Sequence, residues 1–273
     1  MQLGLRGRQA LIGGLALLLG PAAMAACVGP TPGVLTGVER SYWKEFDAQG
    51  RRLLRERGSL RMAGVQLAGQ CPSWDWSAQA QWSQGERAYD GQTNTQTSFR
   101  THSDLHVQRL SFQAWLPMHE HWALGMQATH ARIDRDIAGQ GNVLGYPERF
   151  SYWQASLGAR YQGRWSDQLR WSASGWLGAG PAGRMQLDLP RYDPITLPLG
   201  ASRTVALSLD VAGGAHPQQP GWSWRGGLSY RFERTAAGPA RALTRNGIPA
   251  GVVLQPRFEQ QHWGAHVGAS YRF

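Results

Sequence analysis

Beyond residue 26 the chain lacks any apolar run near the ~18 residues that a membrane-crossing helix needs. A chain of this kind can span a bilayer only as a closed barrel of strands, because lipid offers no partner to unpaired backbone groups. Lysine is almost missing: Lys44 is the sole example, and every other basic residue is arginine. Cysteine is limited to Cys27 and Cys71, which excludes a disulfide-dense scaffold. Charged residues make up only 17%. No Gly-x-Ser-x-Gly, His-Glu-x-x-His or Cys-x-x-Cys motif occurs, so the familiar signatures of serine hydrolases, zinc proteases and thiol redox proteins are missing. The pairs Gly213-Gly214 and Gly226-Gly227 have no phosphate-loop context, and no internal repeat occurs.

The two ends of the chain carry the strongest signals. Arg6 and Arg8 precede an apolar run from Ala10 to Leu19, and Ala23-Met24-Ala25 supplies small residues for a peptidase. Residues 1–26 are expected to be a signal peptide, and residues 27–273 an outer-membrane barrel domain. A lipoprotein is the second reading, since Cys27 follows closely, but Met24 stands where a lipobox carries Leu. At the other end, Trp263, Ala265, Val267, Ala269, Tyr271 and Phe273 alternate with Gly264, His266, Gly268, Ser270 and Arg272. Period two with one oily face is a strand, and the aromatics Tyr271 and Phe273 suit the C-terminal signal read by the barrel-assembly machinery.

The same alternation recurs along the chain, most cleanly from Trp74 to Trp82, Trp153 to Tyr161 and Leu169 to Leu177. Ten strands are expected, over 34–46, 51–69, 74–82, 101–117, 121–137, 153–161, 169–177, 204–211, 222–233 and 263–273. The fold class is all-β, a closed antiparallel transmembrane barrel. In 101–117 the apolar parity changes from Leu105 and Val107 to Leu110 and Phe112, which suggests a bulge near Gln108-Arg109. Short turns near 70–74, 117–121, 165–168 and 215–220 alternate with a connection at 47–52 and longer ones at 84–100, 138–149, 180–202 and 235–258. That asymmetry places both termini on the periplasmic side of a bacterial outer membrane, with the long loops outside. There Cys27 and Cys71 would share an oxidising compartment and are a disulfide candidate, while a lipidated Cys27 would leave Cys71 free.

The formal charge of +10 falls to +8 once Arg6 and Arg8 are removed. A basic protein can meet nucleic acid, but an exported barrel meets outer-membrane lipid and the phosphates of lipopolysaccharide, which arginine grips with two parallel bonds. Nucleic acid and cofactors are not expected. Arg160, Arg170, Asp210, Arg225, Arg231, Glu233, His266 and Arg272 share the inward parity, and a bracing lumen network explains them better than a substrate site. His102, Asp104 and His106 with His130, Asp134 and Asp136 form a second set, read either as a metal or acid–base cluster or as polar wall above the membrane.

Gly33-Val34-Leu35-Thr36-Gly37, Asp104-Leu105-His106-Val107 running to Trp115-Leu116, Ser174-Gly175-Trp176 and Tyr192-Asp193-Pro194 together resemble the omptins, ten-stranded outer-membrane endoproteases. The resemblance spans nearly all of residues 27–273. It implies an Asp-x-Asp pair in the second long loop and an Asp-x-His pair in the fourth, with the His activating a water. Here the second loop, Glu86 to Thr93, holds only Asp90, and the fourth holds Asp188 and Asp193 without a histidine. With Tyr192-Asp193-Pro194 as anchor, Arg191 stands at the His position and Leu189 at the Asp position. Arginine is no base at neutral pH.

Three readings of function follow. The first is a non-proteolytic member acting through its long loops on an extracellular protein or peptide, or as a structural protein. The second is an endoprotease with a rearranged set of acids, Asp90, Asp188 and Asp193. The third is a narrow channel.

Overall fold

The computed structural model describes residues 27–92, 97–214 and 220–273. The proposed signal peptide lies outside the described residues. Fourteen strands follow in chain order: β1 (Val28–Phe46), β2 (Arg52–Gln70), β3 (Asp75–Gln92), β4 (Ser98–Pro117), β5 (Trp122–Ile137), β6 (Tyr146–Arg164), β7 (Leu169–Gly180), β8 (Arg184–Leu187), β9 (Ile195–Pro198), β10 (Ser202–Gly214), β11 (Gly221–Thr235), β12 (Arg241–Arg245), β13 (Ile248–Val253) and β14 (Arg257–Arg272). Ten of them close into a barrel in the order β5-β4-β3-β2-β1-β14-β11-β10-β7-β6, and β5 pairs with β6 to seal it. Every neighbouring pair is antiparallel. β1 and β14 close the chain ends from Gly33↔Ser270 to Phe46↔Arg257. Among the described residues no helix is long and apolar enough to cross a membrane.

The alternation of the sequence maps onto two faces. Val34, Val38, Val65, Leu67, Leu110, Leu124, Leu157, Leu177, Leu207, Leu228 and Val267 are exposed on the outer wall. Aromatic pairs edge that belt, with Trp122–Tyr161 and Trp222–Tyr271 toward the termini and Tyr230–Trp263 at the far side. An apolar band between aromatic girdles is what a transmembrane barrel presents to lipid. Four strands of the first half run for 18 to 20 residues. At ~3.3 Å per residue and the usual tilt, 20 residues rise roughly 50 Å, about twice the ~25 Å apolar band. The barrel therefore stands well clear of its belt on the side away from the termini.

In that upper zone the faces exchange character. Trp43, Leu54, Leu60, Leu105, Val107, Ile133, Ile137, Phe150 and Phe258 point inward and form one buried core. This inversion corrects the expected bulge. β4 keeps continuous register with both β3 and β5 through Gln108 and Arg109. Leu105 is fully buried inside, whereas Leu110 is 56% exposed outside. The parity change marks the passage from a water-facing wall to an apolar-facing one, not an extra residue.

It also corrects the loop lengths. Most of 84–100 is strand, because β3 continues to Gln92 and β4 starts at Ser98. The stretch 138–149 shrinks likewise, since β6 starts at Tyr146. Charged outward residues such as Glu86 make a strand above the belt read as loop. β7 stops at Gly180, before Pro181, which cannot donate to a ladder. β8 then takes up pairing with the upper part of β6, from Glu148↔Leu187 to Ser151↔Arg184. Met185, Leu187, Leu197 and Leu199 carry this β8–β9 flap into the core. The fifth long connection holds the hairpin β12–β13, turned by Asn246-Gly247 with positive φ at both residues (52° and 76°). That pairing is the preferred two-residue hairpin turn.

Candidate functional site

The strands bring polar side chains together at four levels. Highest is a buried ionic network inside the apolar core. Arg135 donates to Glu148 Oε2 (2.6 Å), Glu45 Oε1 (3.0 Å) and Glu56 Oε1 (3.4 Å). Arg87 donates to Glu56 Oε2 (3.3 Å) and Ser41 Oγ (2.6 Å). Trp43 ties the network to the core: its Nε1 donates to Glu45 (2.9 Å), its ring stacks on Phe258 at 4.4 Å, and the Arg135 guanidinium lies 4.7 Å from it. Trp43, Arg87, Phe150 and Phe258 are fully buried, so side chains fill the lumen here. That filling argues against the narrow channel.

One level lower, Glu39 and His262 form a close pair through the ring Nδ1, and Arg109 reaches Glu39 at 3.5 Å. Ser41 Oγ lies 3.3 Å from the same Nδ1, while Nε2 faces Gln260 Oε1 at 3.3 Å. A catalytic triad needs acid and nucleophile on opposite ring nitrogens. Here both meet one nitrogen, in a buried position, so the trio braces the lumen.

Below this ceiling lies a polar cavity of about 560 Å³ in the belt zone. Arg160, Arg170, Asp210, Arg225, Arg231, His266 and Arg272 line it, and Glu233 is buried above. Arg160 pairs with Asp75 (3.1 Å) and stacks over Trp115 (4.7 Å). Trp115 and Trp176 meet at 4.4 Å, seated against Gly125 and Gly158, where any Cβ would collide with the Trp176 ring.

The fourth feature is on the outer wall just above the belt. Arg40 and Lys44 on β1 stand beside Arg55, Arg57 and Arg61 on β2, with Lys44 opposite Arg55 and Arg61 opposite Val38. Among the described residues, Arg55 alone of these five has an acidic partner, Asp90 at 3.8 Å.

The candidate acids of the sequence are dispersed. Asp90 sits between Arg55 and Arg100. Asp188 is exposed beside β6, where its N–H donates to Pro147 O. Asp193 belongs to a clamp: its carboxylate accepts from Thr244 Oγ1 (2.6 Å), Gly247 N (2.9 Å) and Asn246 N (3.1 Å) of the β12–β13 hairpin. Those three bonds hold its carboxyl below the usual carboxylate range, the Thr244 hydroxyl contributing most. Arg191 is exposed at the tip of the flap with φ of 73°, and Leu189 packs against the core. Among the described residues no hydrogen bond or ion pair joins Asp90, Asp188 and Asp193. His102, Asp104, His106 and Asp136 point outward from β4 and β5, with Asp104↔Asp136 and His106↔Asp134 in register. His130 lies lower, against Ser151 and Trp153, and Asp134 is taken by Arg132 and Arg149. Among the described residues no group of three such side chains is placed to hold a metal.

Cys27 and Cys71 are disulfide-bonded beside the first short turn. Sequence reading missed the network of Glu45, Glu56, Arg87, Arg135 and Glu148. Its one trace is shared parity: Glu39, Ser41, Trp43 and Glu45 continue the inward face of Leu35.

No family model matches the chain, and no curated protein matches it in sequence. Solved structures do match. The outer membrane protease OmpT from Escherichia coli is 10% identical over 89% of this chain and 96% of its own, with a TM-score of 0.55. The translocator domain of the autotransporter NalP from Neisseria meningitidis is 11% identical over 94% and 96%, at 0.42. The Pseudomonas putida toluene transporter TodX is 13% identical over 90% of each chain, at 0.34. At such identities the likeness is one of fold, and the two lower scores carry no argument. The chain has the fold of an outer-membrane β-barrel.

Proposed function

We propose that this barrel is a non-proteolytic surface-interaction protein of the outer membrane, anchored among lipopolysaccharide by the β1–β2 arginines, with its termini in the periplasm. The β12–β13 hairpin carries this reading. It places Ile248 (68% exposed) and Val252 (73% exposed) in water, far from the lipid belt, on an arm pinned by Asp193. Large apolar side chains held out on a braced hairpin fit a partner surface. The non-proteolytic part is supported by the filled upper lumen and the dispersal of Asp90, Asp188 and Asp193.

A photo-crosslinking residue at position 252 on intact cells is expected to capture an extracellular protein or peptide. Ile248→Asp with the same probe should abolish capture while barrel levels stay unchanged. Hydrolysis of dibasic fluorogenic peptides by refolded barrel with lipopolysaccharide, lost in Asp90→Ala or Asp188→Ala, would overturn this reading in favour of an endoprotease.

A further inference from the structure

We propose that the terminus-side mouth of the lumen is a binding site for a phosphoryl oxyanion. Three arginines gather there, Arg164 on β6, Arg170 on β7 and Arg272 on β14, and Arg225 on β11 stands above them with its guanidinium on Gln66 Oε1. Arg164 and Arg170 are direct register partners. Like charges placed opposite each other across an antiparallel pair repel. Arg170 also stands within electrostatic range of Arg272, three strands along the wall.

None of the four has an acid within salt-bridge distance among the described residues. Elsewhere in the lumen Arg160 has Asp75 and Arg109 has Glu39, while Arg231 stands within electrostatic range of Glu233. Asp210, the one acid acting on Arg225, is already held by His266 Nε2 (3.1 Å) and Ser208 Oγ (3.0 Å). One guanidinium nitrogen of Arg272, Nη1, is buried with no hydrogen-bond partner. Buried donors are normally satisfied and like charges are not normally placed face to face, so the orphan Arg272 nitrogen and the Arg164–Arg170 pair are a cost to the empty barrel.

An anion removes that cost. Guanidinium forks on several walls suit a group with acceptors in several directions and more than one negative charge. A tetrahedral phosphoryl group has both, whereas a planar carboxylate satisfies one fork. The Ser223 and Ser270 hydroxyls, 2.8 Å apart between Arg225 and Arg272, add neutral donors. The cavity above is large enough for a small phosphate ester, and the filled upper lumen makes it blind.

The test is calorimetric titration of the refolded barrel, in nonionic detergent, with pyrophosphate. Saturable binding is expected, weakened tenfold or more in Arg164→Gln and in Arg170→Gln. Arg203→Gln, on the outer wall of β10, should leave it unchanged. Without ligand, Arg170→Gln should melt higher than the parent, because the repulsion is relieved. That rise separates a ligand site from arginines that brace the fold, whose loss would lower the melting temperature. Absence of saturable binding in the parent, or binding in either mouth variant as tight as in the parent, overturns the proposal. Nanodiscs with and without phosphatidylglycerol identify the source of the oxyanion. Displacement of pyrophosphate by that lipid assigns the site to a headgroup, and no displacement assigns it to a soluble phosphate ester.

Discussion

The lower and upper halves of this barrel use the same strands in one register and oppose each other in polarity. Within the belt, Leu110, Phe112 and Leu157 face out while Gln127, Ser156 and Arg160 face in. Above it, Val107, Leu105 and Phe150 face in while Gln108, His106 and Arg149 face out. Neither half differs in backbone. What changes is the medium outside: lipid accepts apolar side chains at the lower level, and water rejects them at the upper one. The upper half is thus an ordinary soluble core wrapped in a cylinder, continuous with a membrane barrel.

The core half should be the fragile one. Trp43→Ala is expected to cost about 3–5 kcal/mol, since it leaves a cavity between Phe258 and Arg135. Arg135→Gln should cost a similar ~3–5 kcal/mol, because Glu45, Glu56 and Glu148 would remain buried without their shared cation. Denaturant unfolding of refolded protein measures both. A loss below 1 kcal/mol for either would show that the upper lumen is wet and loosely packed.

The contrast sharpens with one substitution made at two heights. Leu157→Arg, on the belt and 70% exposed, should cost roughly 2–4 kcal/mol in a bilayer. Ser98→Arg, outward on β4 above the belt and opposite Gln92, should fall within about 0.5 kcal/mol of neutral. Equal costs at the two positions would erase the boundary between lipid and water along the wall.

Smaller still is the effect expected of the cationic wall. Arg57→Gln with Arg61→Gln removes two charges at the belt edge without touching the core. Folding yield in detergent should be unchanged, while the gain in melting temperature on adding lipopolysaccharide should shrink measurably. An undiminished gain would detach lipopolysaccharide from this face.

Such inversion explains what the sequence could and could not show. Trp153 to Tyr161 reads plainly as strand, because a single apolar face alternates with a single polar one. At Glu39-Ser41-Trp43-Glu45 the inward face mixes acids, a hydroxyl and an indole, so no hydrophobic period exists to be seen. Leu105 to Phe112 shows the switch itself, which a one-face reading turns into a bulge. The site was less legible than the fold for the same reason: Arg135 and Glu148 acquire meaning only from Trp43, about a hundred residues away in sequence, and Asp193 only from an Asn-Gly turn in another loop.

The gentlest comparison concerns the flap and the hairpin, two arms joined by one carboxylate. The folded-state acidity of Asp193 is increased by Thr244 and the two turn amides, so its ordinary unfolded value is the higher one. The clamp is therefore fully present above the usual aspartate range of ~4 and is lost as pH falls through the lower folded value. Backbone amide protection at Asn246 and Gly247 should hold from neutral pH to about 4 and then fall, while protection in β1 and β14 stays constant. Asp193→Asn should start with weaker protection at neutral pH and show no acid step, because its amide cannot gain or lose the charge. Protection at Gly247 that stays level through acid in the parent would mean the hairpin is held by packing of Leu243, not by the carboxylate.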